Sequence, residues 1–144
     1  MGAGLLPGVG PVPGVGAVIV DARGRLLMVK RGGAAGRGLW SIPGGKVGYG
    51  ETLRQAARRE VREETSLEVE IEDVVWVGEA IGPGDPPDWH YVLVDFRARV
   101  ISGQPQAGDD ADAAEWVPLA EVPSRPVTPT LLELLETLDL QPRS

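Results

Sequence analysis

Residues 45–67 read GKVGYGETLRQAARREVREETSL, and their periodicity sets the reading of the whole chain. Leu53, Ala56, Ala57 and Val61 recur at the i, i+3, i+4, i+8 spacing of a buried helical face. Arg54, Gln55, Arg58 and Arg62 occupy the other side, as a solvated face requires. Where the apolar stripe should continue, acids appear instead. At 100° per residue Glu60 and Glu64 project within about 20° of Leu53, and Glu63 flanks the same face.

Three carboxylates at i, i+3 and i+4 repel one another, and turning them toward a core adds a desolvation cost of several kcal/mol unless cations neutralise them. Arg59 is one candidate, but a single guanidinium cannot serve three acids. All-oxygen ligation suits hard divalent cations, and Mg²⁺ characteristically takes one or two carboxylates, keeps waters and shares substrate phosphates. The plain alternative is a charged run on a surface helix. Acids that continue the apolar stripe argue against it.

The segment resembles the signature of the Nudix family: glycine, five residues, glutamate, seven residues, then Arg-Glu-aliphatic-x-Glu-Glu-x-Gly-aliphatic. Gly45, Glu51, Arg59, Glu60, Val61, Glu63, Glu64 and Leu67 all fall in place. Ser66 stands where the family has glycine. A glycine there is a natural left-handed helix cap, so Ser66 is expected to be left-handed at a cost of roughly 1 kcal/mol.

The remaining bounds are compatible with that resemblance. At 144 residues the chain reads as one domain, with residues 1–14 a flexible Gly- and Pro-rich tail and 15–141 the folded unit. A net charge of −7 disfavours nonspecific nucleic-acid binding, and an anionic substrate would need metal ions and local arginines. With no cysteine, thiolate zinc sites and cysteine nucleophiles are excluded. No apolar run reaches membrane-spanning length and no signal-peptide pattern opens the chain, so the expectation is a soluble cytoplasmic protein without membrane partners.

Val15–Val20 and Leu26–Lys30 flank the turn residues Asp21-Ala22-Arg23-Gly24 and are expected to pair as a hairpin. Gly32–Gly38 is a glycine-rich loop edged by Arg31 and Arg37. Gly45-Lys46 fails as a phosphate loop, because Trp40 replaces the earlier glycine and Val47 the Ser/Thr. Leu67, Val69 and Ile71 alternate with glutamates, and Val92, Val94, Phe96, Ala98 and Val100 alternate with Tyr91, Leu93, Asp95, Arg97 and Arg99, giving two strands. His90 falls in the apolar register of the second and reads as a strand-end structural residue. Ser102–Ala114 is expected to be a polar loop and Glu115–Pro118 a short strand. Thr128 and Pro129 look like an N-cap and first helical residue, with Leu131, Leu134, Leu135 and Leu138 as a buried face.

The resemblance implies an α/β class fold, an α/β/α sandwich on a mixed β-sheet. It also implies Mg²⁺-dependent hydrolysis of a diphosphate bond in a nucleoside diphosphate linked to another group, with Mn²⁺ as a substitute. Carried over by position, Glu60 and Glu64 are the principal metal ligands, Glu63 a further ligand or base, and the Gly45 carbonyl an extra ligand. Glu51 and Arg59 form a structural ion pair. The base is Glu63, Glu64 or an acid of the late loop, Asp110 before Asp109. Arg31 and Arg37 are expected on the phosphates, and Trp40 or Trp89 on a base. The pattern is most similar to the ADP-ribose pyrophosphatase branch, where homodimers occur, and Pro83 sits near that branch's marker proline. Oxidised nucleoside triphosphates are the alternative substrates, and a non-catalytic nucleotide-binding sensor module is the alternative class.

Overall fold

The computed structural model describes residues 10–33, 37–108 and 111–138. Seven strands form two sheets: β1 Val12–Val18, β2 Arg25–Arg31, β3 Trp40–Ser41, β4 Gly44–Lys46, β5 Glu68–Ile81, β6 His90–Ser102 and β7 Ala111–Pro118. The helices are α1, Leu53–Thr65, and α2, Pro129–Thr137, the latter preceded by a 3-10 turn over Leu119–Ser124. The larger sheet has the order β4-β1-β6-β5, and the smaller β3-β2-β7. Strand β1 runs parallel to β6, while β4 and β5 are antiparallel to their neighbours, so the larger sheet is mixed.

The hairpin expected from residues 15–30 does not form as a ladder. Asp21 makes the turn, with its backbone N–H donating to the Arg25 carbonyl at 2.9 Å, but the two strands are joined by a single bridge, Val20 to Leu26. Strand β1 is claimed by β4 and β6, and β2 by β3 and β7, so the turn connects two sheets. Burial on both faces explains the divergence. Val15 and Ala17 pack on the side of α1, whereas Val18 joins Leu26, Met28 and the leucines of α2.

Alternation in β6 has the same cause. Phe96 packs with Ala56 and Ala57 of α1, while Leu93 faces the cluster containing α2. The two helices therefore cover opposite sides, giving the α/β/α sandwich.

Helix α1 opens with a capping box. Thr52 accepts from the Gln55 N–H at 3.1 Å, and the Gln55 side chain accepts from the Thr52 N–H at 2.9 Å. Ser66 closes the helix at φ 65°, the only left-handed non-glycine among the described residues. Leu53 departs from its expected burial. As the first helical residue it is 39% exposed, and the buried stripe begins one turn later at Ala56 and Ala57.

Strand boundaries also move. β1 begins at Val12, three residues inside the expected tail, because Val12–Gly14 pair with Tyr91–Leu93. Strand β7 begins at Ala111, inside the expected polar loop, because it completes the ladder to Arg31 of β2. Leu131, Leu134 and Leu135 of α2 are buried as the spacing requires. Thr128 precedes α2 but makes no side-chain cap; its hydroxyl meets the Ser41 hydroxyl at 3.3 Å instead. No described helix is long and apolar enough to cross a membrane.

Candidate active site

The last two turns of α1 carry the acids, and β4 runs past them. The Gly44 N–H donates to Glu64 Oε1 at 2.9 Å. A Cβ at Gly45 would lie 2.5 Å from the Glu60 carboxylate, so only glycine lets the strand approach that close. Neighbouring residues share one ribbon: Gly44 and Gly45 also line a cavity of about 510 Å³ on the same sheet. The acid cluster and the cavity are thus contiguous through two glycines.

Arg59 organises the cluster. Its Nε and Nη2 grip Glu51 at 2.7 and 2.9 Å, a bidentate pair, and Nη2 also donates to the Lys46 carbonyl at 3.0 Å. Its Nη1 bridges Glu60 at 2.7 Å and Glu63 at 3.1 Å. The Arg59 guanidinium and the Gly48 N–H hold the Glu51 carboxyl down at about 2. One guanidinium therefore ties the loop before α1 to the helix and to two of the three acids.

Glu64 is the exception. It is 8% exposed, and burial pushes its carboxyl up to about 8 against the pull of the Gly44 N–H; the neighbouring Glu60 pushes the same way and Arg31 opposes. The three acids thus occupy three environments: Glu64 buried, Glu60 half-buried and Glu63 exposed. Among the described residues no three acidic groups converge as a ready cation cage, since Arg59 draws Glu60 and Glu63 to itself. The donor set nevertheless fits a hard divalent cation. It is all oxygen, and one buried carboxylate sits beside a second with a glycine cradle closed on both.

The late loop is tied to the same place. The Gln106 N–H donates to the Thr65 carbonyl at 2.8 Å and the Gly108 N–H to the Glu64 carbonyl at 3.3 Å. Asp109 and Asp110, which follow, lie outside the described residues. Arg31 lines the cavity, whereas Arg37 is an exposed residue of the glycine-rich loop and is absent from the lining.

Trp40 does not reach the cavity either. The Arg125 guanidinium lies 4.4 Å from the centre of its ring, and its backbone pairs with the segment before α2, so it is a packing residue. Trp89, the other tryptophan expected on a base, lines the cavity with Tyr91, and its ring lies against Gly82. His90 pairs with Ile81 at the start of β6.

Sequence reasoning missed Asp95. Alternation puts it opposite the Val92, Val94 and Phe96 register of β6, yet it is 7% exposed, lines the cavity, and burial pushes its carboxyl up to about 7. The signal was a lone acid inside the apolar run Val92-Leu93-Val94-Asp95-Phe96.

Comparison with known proteins places this arrangement. The family model of the NUDIX domain matches residues 10–138. The chain belongs to the Nudix hydrolase family. A Nudix hydrolase named MutT from Burkholderia pseudomallei has a solved structure that superposes with a TM-score of 0.78 at 30% identity, covering 90% of this chain and 99% of that one. An ADP-ribose pyrophosphatase of Methanocaldococcus jannaschii is 34% identical over 105 residues, 73% of this chain and 61% of its own length. A putative 8-oxo-dGTP diphosphatase of Mycobacterium tuberculosis is 40% identical over 85 residues, 59% of this chain and 57% of its own. This chain therefore spans about three fifths of the length of these two curated relatives. In Nudix terms, the signature segment comprises β4, the loop that follows it, α1 and its Ser66 cap.

Proposed function

We propose that the chain hydrolyses a diphosphate bond in a nucleoside diphosphate linked to another moiety, with Mg²⁺, and that ADP-ribose or a related nucleotide sugar is the substrate. The observation that carries this reading is the ribbon Gly44-Gly45, which lines the cavity on one side and touches Glu64 and Glu60 on the other. A diphosphate laid along that ribbon meets backbone rather than side chains. Glu60 and Glu64 are the metal ligands, with Glu63 and the Gly45 carbonyl available as further oxygens. Held there, the cation would neutralise charge on the diphosphate and make the attacking water more acidic.

The chain's own residues do the rest. Arg31, in the cavity wall, adds positive charge against the phosphates of an otherwise acidic protein. Glu63, the exposed acid of the three, has the access a base needs, and Asp110, which lies outside the described residues, is the other candidate for that role. Trp89 and Tyr91 add aromatic surface to the cavity wall. Water attacks one phosphorus, the bridging P–O bond breaks, and two phosphorylated products leave.

The name of the archaeal relative supports ADP-ribose, and that of the mycobacterial one keeps oxidised nucleoside triphosphates as the second reading. Retention of every acid of the signature argues against a non-catalytic sensor. Phosphate release in a coupled phosphatase assay, with ADP-ribose, other nucleotide sugars, dinucleoside polyphosphates and normal or oxidised dNTPs, tests the reading. Selective Mg²⁺-dependent turnover of a nucleotide sugar is expected. Turnover of oxidised dNTPs alone overturns the substrate class, and none across the panel overturns the hydrolase.

A further inference from the structure

Asp95 has no role in the chemistry above, yet its surroundings are those of a ligand contact. Its carboxyl lies over Gly16, where a Cβ would fall 2.5 Å from Oδ1. Among the described residues no hydrogen bond or ion pair reaches it, although it is 7% exposed and lines the cavity. No buried side-chain polar atom among the described residues lacks a partner, so the unbonded oxygens of this largely buried carboxyl are open to the cavity. Something that enters the cavity is the natural partner.

The sheet register sets which part of a nucleotide that is. Gly16 pairs with Asp95 on one side and with Gly44 on the other. Two strand spacings therefore separate Asp95 from Gly44, about 10 Å across the sheet. With the diphosphate at Gly44-Gly45, the nucleoside extends over Gly16 toward β6. Ile42 and Leu93 flank that path, apolar walls for a flat ring, and the carboxyl stands where the polar edge of the ring ends.

We propose that Asp95 is a specificity-determining contact that hydrogen-bonds the edge of the substrate's nucleobase, an inference that rests on the nucleotide-hydrolase reading of the cavity. A site built around such a bond rejects a base that cannot complete it, because the carboxyl is then left buried and unpaired.

The test separates binding from turnover. AMP, GMP and UMP are titrated by calorimetry in EDTA, and ADP-glucose, GDP-glucose and UDP-glucose are hydrolysed with Mg²⁺, by the unaltered chain, Asp95→Asn and Gly16→Ala. Gly16→Ala leaves the acid in place but pushes its carboxyl aside. The unaltered chain should prefer one base. In both variants affinity for that monophosphate should fall about tenfold and the base preference should flatten. KM should rise for the preferred sugar nucleotide, with kcat within about threefold. Asp95→Asn should melt no lower than the unaltered chain, since it removes the charge of a largely buried acid that no described cation pairs. Unchanged base preference in a folded Asp95→Asn overturns the inference while leaving the hydrolase intact. Base-selective binding that Asp95→Asn abolishes, without turnover of any probe, upholds it and overturns the hydrolase instead.

Discussion

Replacing Glu64 by glutamine separates the electrostatic cost of the site from its use. The buried carboxyl titrates near 8 in the fold and near 4.5 in the unfolded chain. Below pH 4.5 both forms are protonated and the burial costs nothing. Between 4.5 and 8 the folded chain holds a proton that the unfolded chain has lost, so stability falls by about 1.4 kcal/mol per pH unit. Above pH 8 the cost is full, on the order of 5 kcal/mol. Glutamine keeps an oxygen for the Gly44 N–H, now 2.9 Å from Oε1, and carries no charge. Asp95 remains in both proteins and cancels in the difference. In EDTA, Glu64→Gln should therefore melt roughly 10–15 °C above the unaltered chain at pH 8.5 and level with it near pH 4.5. Mg²⁺ should raise the melting temperature of the unaltered chain and not that of the variant, which should also lose hydrolysis. Differential scanning fluorimetry across pH reads the first part, and the coupled phosphate assay the second. Equal melting temperatures at pH 8.5 would refute the buried carboxylate. Full Mg²⁺-dependent turnover would refute Glu64 as a ligand.

Ser66→Gly relieves a left-handed serine at φ 65° and should raise the melting temperature by a few degrees with activity kept; a lower melting temperature contradicts the cap. Gly45→Ala puts a Cβ 2.5 Å from the Glu60 carboxylate and should cut kcat about a hundredfold by displacing it, an expectation that undiminished turnover removes. Glu51 is held down at about 2, so its ion pair with Arg59 adds stability that is complete above pH 4.5 and is lost as pH falls toward 2. Glu51→Gln should accordingly lower the melting temperature at pH 7, with the gap to the unaltered chain closing as pH falls from 4.5 to 2.5. A gap independent of pH would show that Glu51 acts by packing alone.

The sequence by itself determined the parts of this protein whose interactions are local. A helix period and a fixed spacing were enough to place Glu60, Glu63 and Glu64 on one stripe of α1, and a missing glycine was enough to mark Ser66 as left-handed. The leucine spacing of α2 and the alternation through Leu67, Val69 and Ile71 were legible for the same reason, since neighbours in sequence remain neighbours in the element. Tertiary structure decided what depends on partners far along the chain. The two short strands around Asp21 were drawn into different sheets because β6 and β7, dozens of residues away, offered each a longer ladder. Trp40 went to Arg125, leaving the cavity to Trp89. Three acids alike in sequence became one buried, one half-buried and one exposed, because β4 and Arg59 reach them unequally. Asp95, polar by alternation, was turned into the cavity because β6 is covered on both faces, and no period-two pattern distinguishes a face that meets solvent from one that meets a ligand.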